Sequence, residues 1–469
     1  MSSAAKDARK DRRVAITKLP EPVYSEASAQ AAIERGTDEL GLAEDGRGPL
    51  AGVITAGARV LIKPNFVMHE NQGPWGIEPL ITHPSLIRAT VSSALQAGAS
   101  QVMVGDAPVQ GCDFDRLLSA TGLGEWAADL ESVEPRFKGI HDFRRTTCVF
   151  VDGVRIASEN LQTEDRFVLF DLGRESLLEP ITDGSGSFRV TCYDPRLMAK
   201  THARGRHQYL VAKDVMEADV IINLPKLKTH KKAGVTCALK NLIGINGNKE
   251  FLPHHRVGGS RSGGDCYPGA SLVKRALEYS LDRQNQTASF VGGRLWREVA
   301  VNLERISIRT GDELGVEGSW SGNDTVWRTG LDLNRILLYG EKDAQLSEAP
   351  RRRVFHIVDA VIAGQGDGPL RPEPLPLGLL FMGANAAAVD WVGARLLGYD
   401  PSQVSIVREA FADFRWPITN YSAGDVTLSG DFGAGNAEQI LKSREAPAVI
   451  YPAGWRMAAI SAEGNSRNI

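Results

Sequence analysis

"DVIINLPKLKTHKKAGVTCALKNLIGI", residues Asp219 to Ile245, decides how the chain is read. Val220, Ile221 and Ile222 run without a polar break, so Asp219 to Asn223 reads as a buried strand. Five lysines and one histidine then fall between Lys226 and Asn241, before the apolar run of Leu242, Ile243 and Ile245. A solvated face would scatter its lysines among polar neighbours. Lys226, Lys228 and His230 alternate, which on an extended segment sets them on one face as a row of donors for phosphate or carboxylate. Gly234 to Leu242 reads as a helix carrying Lys240 among Val235, Ala238, Leu239, Leu242 and Ile243. Burial lowers a lysine's pKa and fits it as base or covalent nucleophile. A snorkelling lysine with a wet head is the competing reading.

Outward from this stretch, strands and helices alternate. Arg13 to Leu19 reads as a strand, Arg59 to Ile62 as a second and Gln101 to Asp106 as a third. Between the last two, Ser85 to Ala97 reads as a helix with Pro84 near its first turn, where a missing N–H costs little. Thr147 to Ile156 resembles a hairpin turning at Asp152-Gly153. Later come helices over Ala212 to Ala218, Ala270 to Leu281, Trp327 to Leu338 and Asn385 to Leu397, and strands over Val354 to Ile362 and Leu377 to Met382. This order predicts an α/β protein of two domains with mostly parallel sheets and a cleft between them. The expected division is a disordered lead at 1–12, an N-terminal domain at 13–205, a C-terminal domain at 206–455 with a glycine-rich loop at 257–269, and a loose tail at 456–469.

Composition narrows the function. A net charge of −3 argues against a nucleic-acid coat, which needs a basic surplus. No apolar run approaches the roughly 18 residues of a membrane span, and no secretory pattern opens the chain, so a cytoplasmic location is expected. The five cysteines, Cys112, Cys148, Cys192, Cys237 and Cys266, lie far apart with no CxxC pair, so no iron–sulfur cluster or zinc framework is expected. The patterns of nucleophilic-serine hydrolases, P-loop enzymes, zinc peptidases and EF-hands are missing.

The blocks "VLIKPNF", "THPSLIRA", "VMVGDAP", the opening stretch, "VDAVIAGQGDGPL" and "AAAVDWVGARLLG" follow one another from about residue 59 to 410. In this order they resemble the domain-of-unknown-function 362 family. Some relatives carry a cysteine-rich ferredoxin-like segment that this chain does not have. "GGDCYPG", "GNDTVWR" and "LDLNR" resemble a branch associated with surface-polysaccharide or other biosynthesis. A fainter likeness is to the nickel-pincer lactate racemases, in which a histidine, a lysine-bearing turn and a further histidine surround a pyridinium-type nucleotide. Here His230, the Thr236 to Lys240 turn and His254-His255 keep that order, while Thr-Cys-Ala replaces the glycine-rich turn and Gly105-Asp106 stands where a histidine is expected. The likeness implies a shared fold more than a shared chemistry.

Ligands of open α/β sheets collect beyond the carboxyl ends of the strands. Lys63, Asn65, Asp106, Lys226, Lys228 and Asn241 are therefore expected to converge on one crevice as cofactor-binding residues. Gly366 and Asp367 join them, because glycines after a strand let backbone N–H groups approach an anion. Asp390 is a candidate for a metal or ribose hydroxyls, and alternatively a helix-face acid. Lys240, His230, His254 and His255 are the candidate catalytic groups; adjacent histidines on a strand point oppositely, so one of the last two should enter the site. Asn323, Asp324 and Arg328, beside Trp320 and Trp327, suit a sugar-type substrate, although a helix cap explains the first two as well.

The expectation is an enzyme acting on a small anionic metabolite by cofactor- or metal-assisted proton or hydride transfer, racemase- or oxidoreductase-like, within a biosynthetic pathway. The cofactor would be nucleotide-type or a divalent metal. A transferase acting on a nucleotide-linked sugar and a non-catalytic binding protein are the alternatives. Substrate, oligomeric state and metal identity are not encoded in any motif.

Overall fold

The computed structural model describes residues 11–151, 153–183, 186–310, 312, 314–445 and 447–460. Eleven strands form its main sheet. In chain order they are β1 (Arg13–Lys18), β2 (Arg59–Lys63), β3 (Gln101–Asp106), β4 (Phe137–Asp142), β5 (Val220–Asn223) and β6 (Lys226–His230). Then follow β7 (Gly234–Thr236), β8 (Arg353–Asp367), β9 (Arg371–Gly383), β10 (Thr427–Gly430) and β11 (Gly435–Asn436). Across the sheet the order is β11-β10-β1-β9-β8-β5-β2-β3-β4, with β6 branching from β8 and pairing β7. The β8-β5-β2-β3-β4 run is parallel throughout, so its carboxyl ends share one edge.

Period-2 alternation divides the core between the two faces. Val60, Ile62, Val102, Val104 and Ile222 pack with the helices Glu26–Glu39 and Pro84–Gln96 on one side. Leu61, Ile221 and Val354 point the other way, toward Tyr209, Leu333 and Leu337. Each such aliphatic side chain contributes about 1.5–3 kcal/mol when fully buried.

The α/β class holds, but the division into two sheets does not. β5, from beyond the expected boundary at 205, lies between β2 and β8. β1 pairs with β9 and β10, near the other end of the chain. Both halves thus share one sheet, and the ligand-accessible space lies along its edge rather than between two sheets. The expected lead and tail lie mostly outside the described residues, as does Asp152 of the Thr146–Val151/Val154–Asn160 hairpin. Of the tail, Ile460 is tied down by its N–H to the Gly398 carbonyl at 2.8 Å.

Two local expectations are corrected, and two helices were not foreseen. Gly234 to Leu242 is not one helix: Gly234–Thr236 pairs antiparallel with β6, and only Ala238–Asn241 makes an α-turn before a 3-10 turn at Leu242–Ile245. Gly234 takes φ +78°, and a Cβ there would sit 2.6 Å from the Trp455 ring, so glycine permits this tight passage. Gly364 to Asp367 is not a loop but the end of β8, paired with Arg371 to Pro374. The Glu26–Glu39 helix was not foreseen because its buried stripe, Ala29, Ala32, Ile33, Gly36 and Thr37, is mostly small or polar. Phe290–Arg309 was missed for the opposite reason: several of its apolar side chains, including Val291 and Leu295, face solvent.

Candidate functional site

A cavity of about 1310 Å³ opens at the carboxyl edge of the parallel run. Asn65 and Asp106, at the ends of β2 and β3, line it together with Lys228, His230, Lys240, Asn241 and His254. One short stretch supplies every lysine in its wall among the described residues: Lys228, Lys231, Lys232, Lys240 and Lys249. The chain can do this because β6 leaves β5 through Leu224-Pro225, extends the edge of β8, and returns through β7 to the Ala238–Asn241 turn.

Lys240 stands on a braced support. Asp390 Oδ1 accepts the Leu239 N–H at 3.2 Å, and Asn334 donates to the Leu239 carbonyl at 3.0 Å. Asn223 donates to the Ala238 carbonyl at 3.1 Å, and Asn241 donates to Asn223 Oδ1 at 2.7 Å. The Lys240 ammonium itself has no hydrogen bond or ion pair with any described residue. Burial, reinforced by Lys249, Lys232 and Lys63, brings its pKa down to about 7. Lys249 is likewise unpaired, and burial brings it to about 8. Lys228 is fully buried and holds Asn65 Oδ1 at 2.8 Å and the Leu80 carbonyl, with no carboxylate partner. Burial, with Lys226 and Lys240 nearby, pushes it well below the usual lysine range. Two buried wall oxygens, Thr236 Oγ1 and Asn241 Oδ1, also have no partner among the described residues.

The two cavity histidines are fixed in opposite tautomers. His230 Nδ1 accepts the backbone N–H groups of Lys232 (3.0 Å) and Ala233 (3.2 Å), so its proton sits on Nε2. His254 Nδ1 lies 2.7 Å from the Leu252 carbonyl, which only accepts, so its Nε2 carries the lone pair. Burial first, then the neighbouring lysines, holds both rings well below the usual histidine range, hence neutral.

The remaining expected residues support the site or lie away from it. Lys63 is buried behind the wall in an ion pair with Asp106 at 2.7 Å, and Asp106 also accepts from Phe66 and Ala107 N–H. Burial favours neutral forms of both, and their attraction opposes it. Lys226 does not reach the cavity: it pairs with Asp359 at 2.7 Å and donates to Tyr24 Oη. His255, next to His254, is buried outside the lining with an unpartnered Nδ1. Gly366 sits within β8, where its N–H bonds the Ile450 carbonyl at 2.7 Å, and Asp367 lies at the cavity rim. Asp390 is a brace, raised by burial to about 7, with the Cys237 thiol beside it and no metal-binding group of three among the described residues.

Asn323 Oδ1 accepts the N–H groups of Thr325 and Val326 just ahead of the Val326–Tyr339 helix, and its amide donates to the His254 carbonyl at 2.9 Å. Asp324 and Arg328 pair with each other at 3.1 Å, and Arg328 donates to the Leu177 carbonyl. All three are support, not cavity wall. Lys249, Lys232 and Arg144 were the omissions. Lys249 lies in the polar "NGNKE" run, which reads as an ordinary loop. Arg144 is committed to Asp142 at 2.6 Å.

No three His, Cys, Asp or Glu side chains among the described residues gather as a metal group. The lysines would suit the phosphates of a nucleotide-type cofactor, but Asp390, the expected ribose partner, lies behind the wall.

The family model described as a domain of unknown function (DUF362) matches residues 60–168 and 174–395, well over half of the chain. The chain belongs to the DUF362 family. Both matched segments contribute to the cavity. A thylakoid-associated protein of Synechocystis sp. is 23% identical over 404 residues, covering 82% of this chain and 83% of that one. A crystal structure of a Thermotoga maritima protein overlaps 76% of this chain and 55% of its own, with 11% identity and a TM-score of 0.31. The lactate racemase apoprotein of Thermoanaerobacterium thermosaccharolyticum overlaps 84% and 58%, with 12% identity and a TM-score of 0.29. The chain spans little more than half the length of these two structures, and at such scores neither overlap bears on chemistry. No described helix is long and apolar enough to cross a membrane.

Proposed function

We propose that this DUF362 member binds a small anionic metabolite in the lysine-lined cavity and moves a proton on it. One observation carries the reading. Lys240 faces the cavity on a rigid support, has no partner, and titrates at about 7, where a general base works best. As the free amine it would take the proton from a carbon beside the substrate's carboxylate. The negative charge then develops on the carboxylate oxygen, where His230 Nε2–H can donate to it, as a neutral imidazole does when it acts as an electrophile. Return of the proton from the Lys240 ammonium to the same face regenerates the substrate with its hydrogen exchanged, protonation on the opposite face would racemise it, and delivery of the proton to another carbon would isomerise it. His254 Nε2, an acceptor, suits a substrate hydroxyl.

No redox partner is required by this reading. The test is solvent exchange: carboxylate and phosphorylated metabolites are incubated with the protein in D2O and followed by proton NMR. Exchange beside the carboxyl that disappears in Lys240→Met, while a smaller ligand-induced melting shift remains, is the expected outcome. Binding with no exchange by the native protein at any pH would leave a carrier rather than an enzyme.

A further inference from the structure

The cavity wall is chemically divided. The stretch from Lys228 to His254 brings its lysines and both histidines. Facing them, the segments after β2 and β3 bring Phe66, Val67, Met68, Pro108, Val109 and Phe114. The hairpin Thr146–Val151/Val154–Asn160 adds Val149 and Phe150, and Leu161 follows it.

The inner polar groups of this second wall are already spent. The Arg144 guanidinium is shared among Asp142 and the carbonyls of Val109, Gln110 and Cys112. Tyr193 Oη is bonded to Gln110 Oε1. What faces the cavity from this side is largely hydrocarbon, with the exposed carboxylates of Asp115 and Glu159 also in the lining.

Two features show that this apolar wall is oriented toward an occupant. Neighbouring strand residues ordinarily point to opposite faces, yet Val149 and Phe150 both line the cavity. The hairpin register shifts between these two residues, the local device that re-aims a side chain. Val149 and Leu161 also remain 46% exposed at the mouth, a cost in hydrophobic free energy that a ligand body would remove. The volume agrees: about 1310 Å³ exceeds the roughly 300–1,000 Å³ typical of sites for drug-sized ligands, and a bare anion would leave most of it empty.

From this largely one-ended polarity we infer that the ligand is an amphipathic anion: a phosphate or carboxylate head at Lys240 and Lys249, with an apolar body against Phe66, Val109, Phe150 and Leu161. The inference rests on the anion-binding reading of the same cavity and names the class of its ligand. Small hydrophilic acids are then poor ligands, and the reacting carbon lies near the head, beside Lys240.

The test uses a homologous series of n-alkyl phosphates, from methyl to octyl, below their aggregation concentrations, titrated calorimetrically into the full chain. Affinity should rise by two- to fourfold per added methylene over the first several carbons, the gain expected for burying each in an apolar site. Phe150→Ser and Leu161→Asn should flatten that rise while leaving methyl phosphate binding unchanged. Lys240→Met should weaken every member by the same factor. Leu161 is half-exposed at the rim, so its variant keeps the test available if Phe150→Ser melts. A flat series, with methyl phosphate binding as well as octyl phosphate, overturns the amphipathic ligand and leaves the anion site standing. Failure of every member to bind removes both.

Discussion

Asp390 and Lys240 are joined through one backbone group: the Asp390 carboxylate accepts the N–H of Leu239 at 3.2 Å, immediately before the lysine. Asp390 Oδ2 has no partner among the described residues, and no cation faces it. A buried acid thus holds the turn that presents a half-buried base to the cavity.

Asp390 gives the first prediction. Burial raises its pKa from 3.8 to about 7, so the native state holds its proton more tightly than the unfolded chain. The penalty for ionising it is absent below pH 4 and grows as pH rises to 7. Asp390→Asn, which keeps the acceptor, should therefore gain in melting temperature relative to the native protein across that window. Asp390→Ala should lose about 1–3 kcal/mol by orphaning the Leu239 N–H. Thermal melts of the three proteins from pH 4 to 8 check both, and parallel curves for native and Asn variants would contradict the first.

Lys240 has the opposite sign. Its native pKa of about 7 lies below the unfolded value of 10.5, so the unfolded chain binds the proton more tightly. The cost to the empty protein is complete below pH 7 and fades as pH rises toward 10.5. Lys240→Met should stabilise the ligand-free protein at pH 6, on the order of 2 kcal/mol, and the gain should vanish by about pH 10. Denaturant unfolding at several pH values measures this difference directly.

Ligand binding should take up protons. An anion beside Lys240 and Lys249 raises pKa values that stand at about 7 and about 8 in the empty cavity. Affinity for an anion that stays fully ionised should fall as pH rises from 7 to 9, and heats measured in buffers of different ionisation enthalpy should diverge. Lys249→Met should reduce the proton uptake. Identical heats in all buffers would mean that the anion sits elsewhere.

The Lys63–Asp106 pair is a structural prediction. Lys63→Met leaves a buried carboxylate without its cation and should cost about 3–5 kcal/mol. Adding Asp106→Asn should restore part of that loss, because it removes the buried charge while its one carbonyl oxygen still accepts from either Phe66 or Ala107, which bond different oxygens of the native carboxylate. A double variant no more stable than the single one would show that the pair's charges matter little, and chemical denaturation decides between them.

Local order set much of what could be read in advance. The β-branched and aliphatic run Val220 to Ile222 has one sensible place, inside a parallel sheet, and it lies between β2 and β8. The alternation of Lys226, Lys228 and His230 similarly required an extended segment, and β6 is one. Lys240 among apolar neighbours could be recognised as desolvated although the helix imagined for it shrinks to a single turn.

Long-range contacts decided the rest. Lys226 and Lys228 look equivalent in sequence, but Asp359 meets only the first, and that partner lies far along the chain on β8. Asn323, Asp324 and Asp390 carry the chemistry of ligand-binding residues, and only packing shows them spent on backbone groups and one another. The sequence by itself determined strands β1, β2, β3, β5, β8 and β9, the cationic stretch and the family, because periodicity and burial act over a few residues. Which cations remain unpaired, which tautomer each histidine holds and where the apolar wall faces them depend on partners brought together by one shared sheet, and only the tertiary structure decides those.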